Sequence, residues 1–201
     1  MATFLELMMM FSFSWDDKRA GTKILLSQGY LEKNIEDLEV GLLYKGSESN
    51  LQYVTTSSFL ILTYAEYVKN HSGGGGGGMC GVSADKVVEL AKKQVDYILG
   101  DNPGKRSHMV GFGERYPQRL HHRASSLPSL HAHPARISCG DGFQYLNMSS
   151  PNPNILIGAI VGGPDSQDKF ADDRNNFHQS EPTTYINAPF IGALTFFSQY
   201  L

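Results

Sequence analysis

The chain has 201 residues, of which 41% are hydrophobic, and its formal net charge is -3. This length and apolar content are enough for one domain with a buried core. The small excess of negative charge excludes the basic surfaces with which proteins bind nucleic acids or anionic membranes, so neither is expected as a partner.

The N-terminal segment, residues 1–13, is apolar and rich in methionine. It lacks the basic region with which a signal peptide begins, and Glu6 lies within the apolar run. No uncharged stretch reaches the roughly 18 residues that a membrane-spanning helix needs. We therefore predict a helix packed in the interior, and the sequence shows neither an export signal nor a membrane segment.

Two helices are predicted in the residues that follow. The first begins at Ser14, which can cap the helix while Asp17 returns the capping bond. The second spans about residues 50–70, where a helical period joins Leu51, Val54, Ser58, Leu62 and Ala65. The Thr and Val content of this segment leaves a strand as an alternative.

A run of six glycines, residues 73–78, comes next. No Gly-Lys-Ser/Thr follows the run, so it predicts a flexible surface link and not a phosphate-binding loop. The clearest helix comes after it, capped by Ser83 and ending before Gly100 and Pro103. Its apolar stripe consists of Val88, Ala91, Val95, Ile98 and Leu99.

Residues 101–154 are rich in Pro, Gly, Ser and His and show little periodicity, and a loop region this long in a compact domain is usually functional. Residues 154–161 could form a short helix or a strand. A last helix is predicted after Pro189, with Phe190, Leu194 and Phe197 on one side. Helices joined by long loops, with little sign of strands, predict the all-α class.

Polar residues that can do chemistry are concentrated in two stretches, residues 107–123 and 170–188. They bring together three carboxylates and four basic groups, namely Asp172, Asp173, Glu181, His121, His122, Arg123 and Arg174. A carboxylic acid in a partly apolar cleft has a raised pKa and can act as a general acid, while Arg and His bind hydroxyl groups. This set suits carbohydrate hydrolysis. The same residues also fit solvated loop charges with local ion pairs, so the pattern alone leaves both interpretations open.

Two other kinds of site are disfavoured. His131 and His133 could bind a metal, but a zinc site needs closely spaced Cys/His pairs, and Cys80 and Cys139 stand alone. A Ser-His-Asp hydrolase would need a Gly-x-Ser-x-Gly turn, which the sequence lacks. We therefore expect neither a metal nor another cofactor.

The two polar stretches carry long motifs. The first contains Ser107, Met109, Val110, Gly113, Arg115, Leu120, His121 and Arg123. The second contains Phe170, Asp172, Phe177, Glu181, Thr183, Asn187 and Ala188. These positions resemble the two signatures of family 9 of the glycoside hydrolases, in its plant-type endo-β-1,4-glucanases. Residues 94–103 and 151–165 are also similar to plant members, so the resemblance covers nearly the whole chain.

The resemblance implies a fold and a reaction. Family members are (α/α)6 barrels with a cleft across one end, and they hydrolyse internal β-1,4 bonds of cellulose-like glucans with inversion. It makes Glu181 the general acid, with Asp172 and His121 beside it as catalytic residues. Residues expected to bind substrate are Arg123, His122, Tyr185 and Arg174. The partner is then a β-1,4-glucan such as cellulose, and the expected location is extracellular, in the cell wall.

Two departures from the family pattern bear on function. Many members have Gly after the His-x-Arg, where this chain has Ala124. Inversion also needs a second carboxylate to activate water, which in the family lies in an Asp-Ala-Gly-Asp motif near the start of the domain. This sequence has no such motif, and the family domain is much longer. We therefore expect residues 1–201 to be a partial catalytic domain, roughly the C-terminal half of the barrel, with the acid but without the base.

Three interpretations of function remain. The chain is an endoglucanase by descent, or a truncated, catalytically inactive remnant or incomplete gene model with at most weak glucan binding. A separate helical binding module is the third, and the intact signatures argue against it. Because half a barrel exposes apolar helix faces, we expect the isolated chain to be poorly soluble or self-associated, and inactive on carboxymethyl cellulose.

Overall fold

The computed structural model describes residues 41–46, 48–71 and 84–199, and its regular elements in these ranges are helices. They are α1 (Leu51–His71), α2 (Ala84–Leu99), α3 (Arg123–Ser126), α4 (Gly142–Leu146), α5 (Phe177–Ser180) and α6 (Thr184–Ser198). Within the same ranges, β-structure is limited to one isolated antiparallel bridge between Met109 and Ile160. The predicted all-α class is confirmed. The predicted N-terminal helix, the helix start at Ser14 and the glycine link lie outside the described residues.

The described residues form two compact units. The first contains most of α1, α2 and α6. The second comprises residues 46–51 and 98–184, and holds the long loops together with α3, α4 and α5. In the part of the chain that the structure describes, no helix is long and apolar enough to span a membrane.

Helix α1 forms as the apolar spacing predicts. The predicted face, Leu51, Val54, Ser58, Leu62 and Ala65, is buried at every position. The hydroxyl of Ser58 donates to the carbonyl oxygen of Val54 over 2.8 Å, one turn earlier. Such bonds to the preceding turn satisfy buried hydroxyls inside a helix, which explains why the Ser and Thr content did not favour the strand alternative.

Helix α2 forms where predicted, but its buried face is shifted: Val87 and Leu90 are buried, whereas Val88 and Leu99 of the predicted stripe are half-buried. It also buries one polar residue that the apolar stripe does not reveal. The amide of Gln94 is fully buried; its Oε1 accepts from the N–H of Leu43 over 2.8 Å, and its Nε2 donates to the carbonyl of Gly41 over 3.0 Å. Both polar ends of the side chain are therefore satisfied, and α2 holds residues 41–43 in place. The helix is followed by Gly100 at φ +124°, a conformation that suits glycine.

Helix α6 begins at Thr184, six residues before the predicted start at Phe190, and it contains Pro189. A proline here removes one helical N–H donor, which is why the sequence favoured a start after it. The burial of Ile186, Pro189 and Phe190 offsets this lost hydrogen bond and stabilises the helix through the proline. The helix is also closely packed, since a methyl group on Gly192 would lie 2.5 Å from the ring of Phe59.

The second unit packs around a small apolar cluster of Val110, Leu120 and Val161. The predicted helix or strand over residues 154–161 is wrong: the segment is irregular apart from the bridge at Ile160. Two local features explain this. Gly158 has a φ of +84°, and the Asn154 side chain donates to the carbonyls of Ala124 and Leu127 instead of supporting a regular element.

Candidate active site

His121 is held by backbone contacts with the second signature. Its N–H donates to the carbonyl of Ser180 over 3.2 Å, and its ring Nδ1 lies 2.8 Å from the carbonyl oxygen of Arg174. Because a carbonyl oxygen can only accept, Nδ1 carries the hydrogen in this contact. The other ring nitrogen, Nε2, is then the one that can bind a ligand.

Glu181 comes directly after α5, and its N–H donates to the carbonyl of Phe177 over 3.0 Å. The residue is half-buried, and among the described residues no hydrogen bond or ion pair reaches its carboxylate. The Phe177 ring lies 5.8 Å from the ring of His121 and 4.0 Å from that of His178. Through Ser180 and Phe177 the fold brings Glu181 and His121 together, although they are far apart in the sequence.

His122 and Arg123 form the start of α3. The Nδ1 of His122 caps this helix by accepting from the N–H of Ser125 over 3.2 Å. The guanidinium of Arg123 is exposed and makes long contacts with the carbonyls of Ser138 and Cys139, at 3.5 and 3.4 Å. Arg123 is thus tethered weakly and remains accessible.

Ala124, which stands where many family members have Gly, lies in the helical turn of α3 and is exposed. Its φ is not positive; the non-glycine residues with positive φ in the described chain are Ser49, Lys105, Asp168 and Asp172. An alanine side chain is therefore accommodated at this position without backbone strain.

A cleft of about 190 Å³ lies at His121 and the start of α3, and Glu181 is not among the residues that line it. Its lining consists of His121, His122, Arg123, Ser126, Cys139, Gly142, Phe143 and Leu146. Three of the predicted site residues therefore share one concave surface. The contribution of α4 was not predicted, because its short Gly-Phe segment lies in a loop without periodicity.

The carboxylate of Asp172 binds other groups of the protein. Its Oδ1 accepts from the N–H groups of Gln118 and Arg119, both at 3.0 Å, and its Oδ2 lies 3.3 Å from Nη1 of Arg106. Asp172 has a φ of +49°, a left-handed conformation that aspartate tolerates better than most residues. These contacts fix the loop that leads into His121.

Arg174 is 2% exposed, and its guanidinium is directed into the protein. Its Nε donates to Oδ1 of Asn152 over 2.9 Å. Its Nη1 donates to the carbonyls of Tyr145 (2.9 Å) and Met148 (2.7 Å), and its Nη2 to that of Ser150 (2.9 Å). Nη2 also donates to Oδ1 of Asn152 over 2.6 Å, so all five N–H donors of the guanidinium have partners. The side chain therefore organises the loop after α4, and its carbonyl oxygen is the group that holds His121.

The two remaining predicted residues are Tyr185 and Asp173. Tyr185 lies in the first turn of α6 with 36% of its surface exposed. Asp173 accepts from the N–H of Asn175 over 3.0 Å, as part of a local turn. No group of three or more His, Cys, Asp or Glu side chains in the described ranges is placed to hold a metal ion, and Cys139 is an exposed free thiol.

Comparison with known proteins identifies the family. Residues 3–194 match the profile of glycosyl hydrolase family 9. Endoglucanase 1 of Persea americana is 57% identical over 94% of this chain, and the chain spans 43% of that relative's length. The chain thus spans about two fifths of the length of the curated relatives it matches.

Solved structures agree. The endoglucanase of the termite Nasutitermes takasagoensis is 32% identical with a TM-score of 0.66, over 94% of this chain and 39% of that one. The endoglucanase CelQ of Clostridium thermocellum, complexed with cellobiose and cellotriose, is 28% identical with a TM-score of 0.64, over 92% and 30%. Cellulases of this kind are (α/α)6 barrels, which confirms the predicted fold class. The chain belongs to glycosyl hydrolase family 9.

Proposed function

We propose that this chain provides the proton donor and part of the glucan-binding cleft of an endo-β-1,4-glucanase that acts with inversion. The observation that carries the proposal is the backbone bond between His121 and Ser180, the residue before Glu181. This bond joins the main chain of His121, in one signature, to the residue before Glu181, in the other, and so supports a shared site. The endoglucanase names of the relatives and the cello-oligosaccharides bound by one neighbour support the same reaction.

Glu181 is proposed as the general acid that protonates the glycosidic oxygen as the bond breaks. Its half-buried carboxyl group has no hydrogen-bonding or charged partner among the described residues, so it is available to a substrate oxygen. A second carboxylate must activate the water on the opposite side of the sugar ring. The two signatures do not supply it, and the sequence has no Asp-Ala-Gly-Asp motif. We therefore expect the 201-residue chain alone to be inactive.

The remaining predicted residues divide into two roles. His121 through Nε2, Arg123 through its exposed guanidinium, and His122 line the cleft and are proposed to bind sugar hydroxyl groups. Asp172 and Arg174 are proposed as positioning residues, because their charged groups are engaged with backbone N–H and carbonyl groups. This revises the expectation that Arg174 binds substrate directly. Tyr185 stays a proposed substrate-binding residue.

Hydrolysis of carboxymethyl cellulose tests the proposal. Residues 86–201 would replace the corresponding segment of Endoglucanase 1 of Persea americana, so that the chain's own signatures operate within a longer family 9 domain. We expect reducing ends to be released, and Glu181→Gln to lower the rate at least about 100-fold, the usual contribution of a general acid. Glu114→Gln, at an exposed carboxylate of the same unit, is the matched control.

An active Glu181→Gln chimera would contradict the role of Glu181. The isolated chain is assayed in parallel, and hydrolysis by it that is lost on Glu181→Gln would overturn the expected inactivity. If the chimera folds but is inactive, the alternative of a catalytically inactive remnant gains support.

Location and self-association are proposed as well. The plant endoglucanase relatives support a place in the cell wall. Self-association is proposed because a partial barrel would expose apolar helix faces. Size-exclusion chromatography with light scattering tests the second point, and a monomer at all concentrations would contradict it.

A further inference from the structure

Phe143 is an exposed aromatic side chain in a cleft otherwise rich in polar groups. Its exposed fraction is 65%, and it lines the cleft together with His121, His122 and Arg123. Neither signature contains it. A phenylalanine left in water gains free energy when an apolar surface covers it, so its place in the cleft suits a ligand with an apolar face.

The backbone on the N-terminal side of Phe143 is fixed. The Ser138 hydroxyl donates to the Asp141 carboxylate over 2.6 Å and closes a tight turn before α4. Nη2 of Arg123 donates to carbonyls of that turn. Gly142 packs directly on the guanidinium, since a methyl group there would lie 2.9 Å from Nη2 of Arg123. Phe143 is therefore presented next to a cationic side chain that is proposed to bind sugar hydroxyls.

The backbone on the C-terminal side is fixed by the buried guanidinium of Arg174. It binds the carbonyl of Tyr145 inside α4 and those of Met148 and Ser150 after it. Arg174 thus holds the C-terminal side of α4, while the Ser138–Asp141 turn, with the longer contacts of Arg123, orders its N-terminal side. The ring of Phe143 faces solvent on this ordered backbone, so little backbone entropy remains to be lost when a ligand packs on it.

We propose that Phe143 is a stacking platform for a glucosyl ring of the glucan chain, with His121 and Arg123 binding hydroxyl groups at the rim of that ring or its neighbour. A β-1,4-linked glucose ring has axial C–H groups on both faces and hydroxyls around its edge. The faces therefore match the electron-rich face of an aromatic ring, and the hydroxyls at the edge can donate to the free imidazole nitrogen and accept from the guanidinium. The inference rests on the proposed function, because the ligand is the same glucan.

Isothermal titration of the full 201-residue chain with cellotetraose tests the platform without requiring turnover. Removal of the aromatic face in Phe143→Ala should raise the Kd about tenfold, the upper range of an aromatic contact. Phe143→Trp keeps an aromatic face and should stay within about twofold of the unchanged chain, because stacking needs the ring and not its identity. Phe112→Ala removes another exposed phenylalanine of the same unit, outside the cleft lining, and should have no effect.

Thermal unfolding of each variant verifies that the fold is retained. The proposal is overturned if Phe143→Ala binds as tightly as the unchanged chain, if Phe112→Ala weakens binding equally, or if the unchanged chain does not bind cellotetraose. A failure of hydrolysis in the chimera, with this binding pattern intact, would count against the proposed reaction and leave the platform standing.

Discussion

His108 should make the stability of the protein depend on pH in a narrow and testable window. The imidazole is 3% exposed and packs edge-on against the ring of Phe170, with 5.3 Å between ring centroids. Burial, together with the smaller effect of the positive charge of Arg106, lowers the pKa of His108 from 6.5 to about 4. The native state therefore holds this histidine neutral, while the unfolded chain protonates it near its ordinary pKa.

The sign and size of the effect follow from proton linkage. Because the pKa is lower in the folded state, the unfolded state binds more protons between about pH 6.5 and pH 4, and the free energy of unfolding falls as the pH is lowered through this range. At pH 5 the loss relative to pH 8 should be roughly 2 kcal/mol, from about 1.4 kcal/mol for each pH unit below the unfolded pKa. For a chain of this size such a loss lowers the Tm by about 4–8 °C.

Urea unfolding at pH 8 and pH 5, followed by circular dichroism, measures the effect. His108→Gln removes the titrating group, so its free energy of unfolding should change less between the two pH values than that of the unchanged chain, by roughly 2 kcal/mol. His131→Gln, at an exposed histidine of the same unit, should behave like the unchanged chain. An identical pH dependence for the unchanged chain and His108→Gln would refute the reasoning.

Three further substitutions test the positioning contacts, each by urea unfolding. Arg174→Ala should cost at least about 3 kcal/mol, because the buried Asn152 amide and three main-chain carbonyls lose their donor at once, and a loss below about 1 kcal/mol would contradict its organising role. Asp172→Asn should cost about 1–3 kcal/mol, because it removes the negative charge that accepts from two main-chain N–H groups. Asp168→Asn, also at positive φ but exposed, should cost less. Gly163→Ala should cost more than about 3 kcal/mol, because its new methyl group would lie 2.4 Å from a leucine side chain. Gly158→Ala, at a similar φ with open space around it, isolates the backbone strain of about 1–2 kcal/mol, and equal costs at the two glycines would exclude the packing explanation.

The helices were predictable where a local pattern decides the structure. The buried face of α1 and the stripe of α2 repeat every turn, so apolar spacing locates them without knowledge of their neighbours. Helix α6 was misplaced at its start, because the penalty of Pro189 is local and visible in the sequence, whereas the burial that offsets it is a tertiary property.

The sequence predicted which residues belong to the candidate site better than it predicted their contacts and burial. Recognition of the signatures selected His121, Arg123 and Glu181 as candidates, but it could not separate exposed residues from buried ones. Arg174 illustrates the difference: a basic residue beside two aspartates suggests a binding group, and only the fold shows its donors turned towards carbonyl oxygens. Bonds to main-chain atoms across tens of residues leave no periodic trace, so they cannot be read from sequence alone.

The anchoring of α4 has a consequence for how this region can evolve. Arg123 and Arg174 bind the segment through carbonyl oxygens, which every amino acid possesses. Side chains between residues 138 and 150 can therefore change while the two arginine contacts are retained. The segment keeps its backbone conformation when most of its side chains are replaced. Substitutions in it can therefore change the preference for glucan length or decoration while the catalytic residues stay in place.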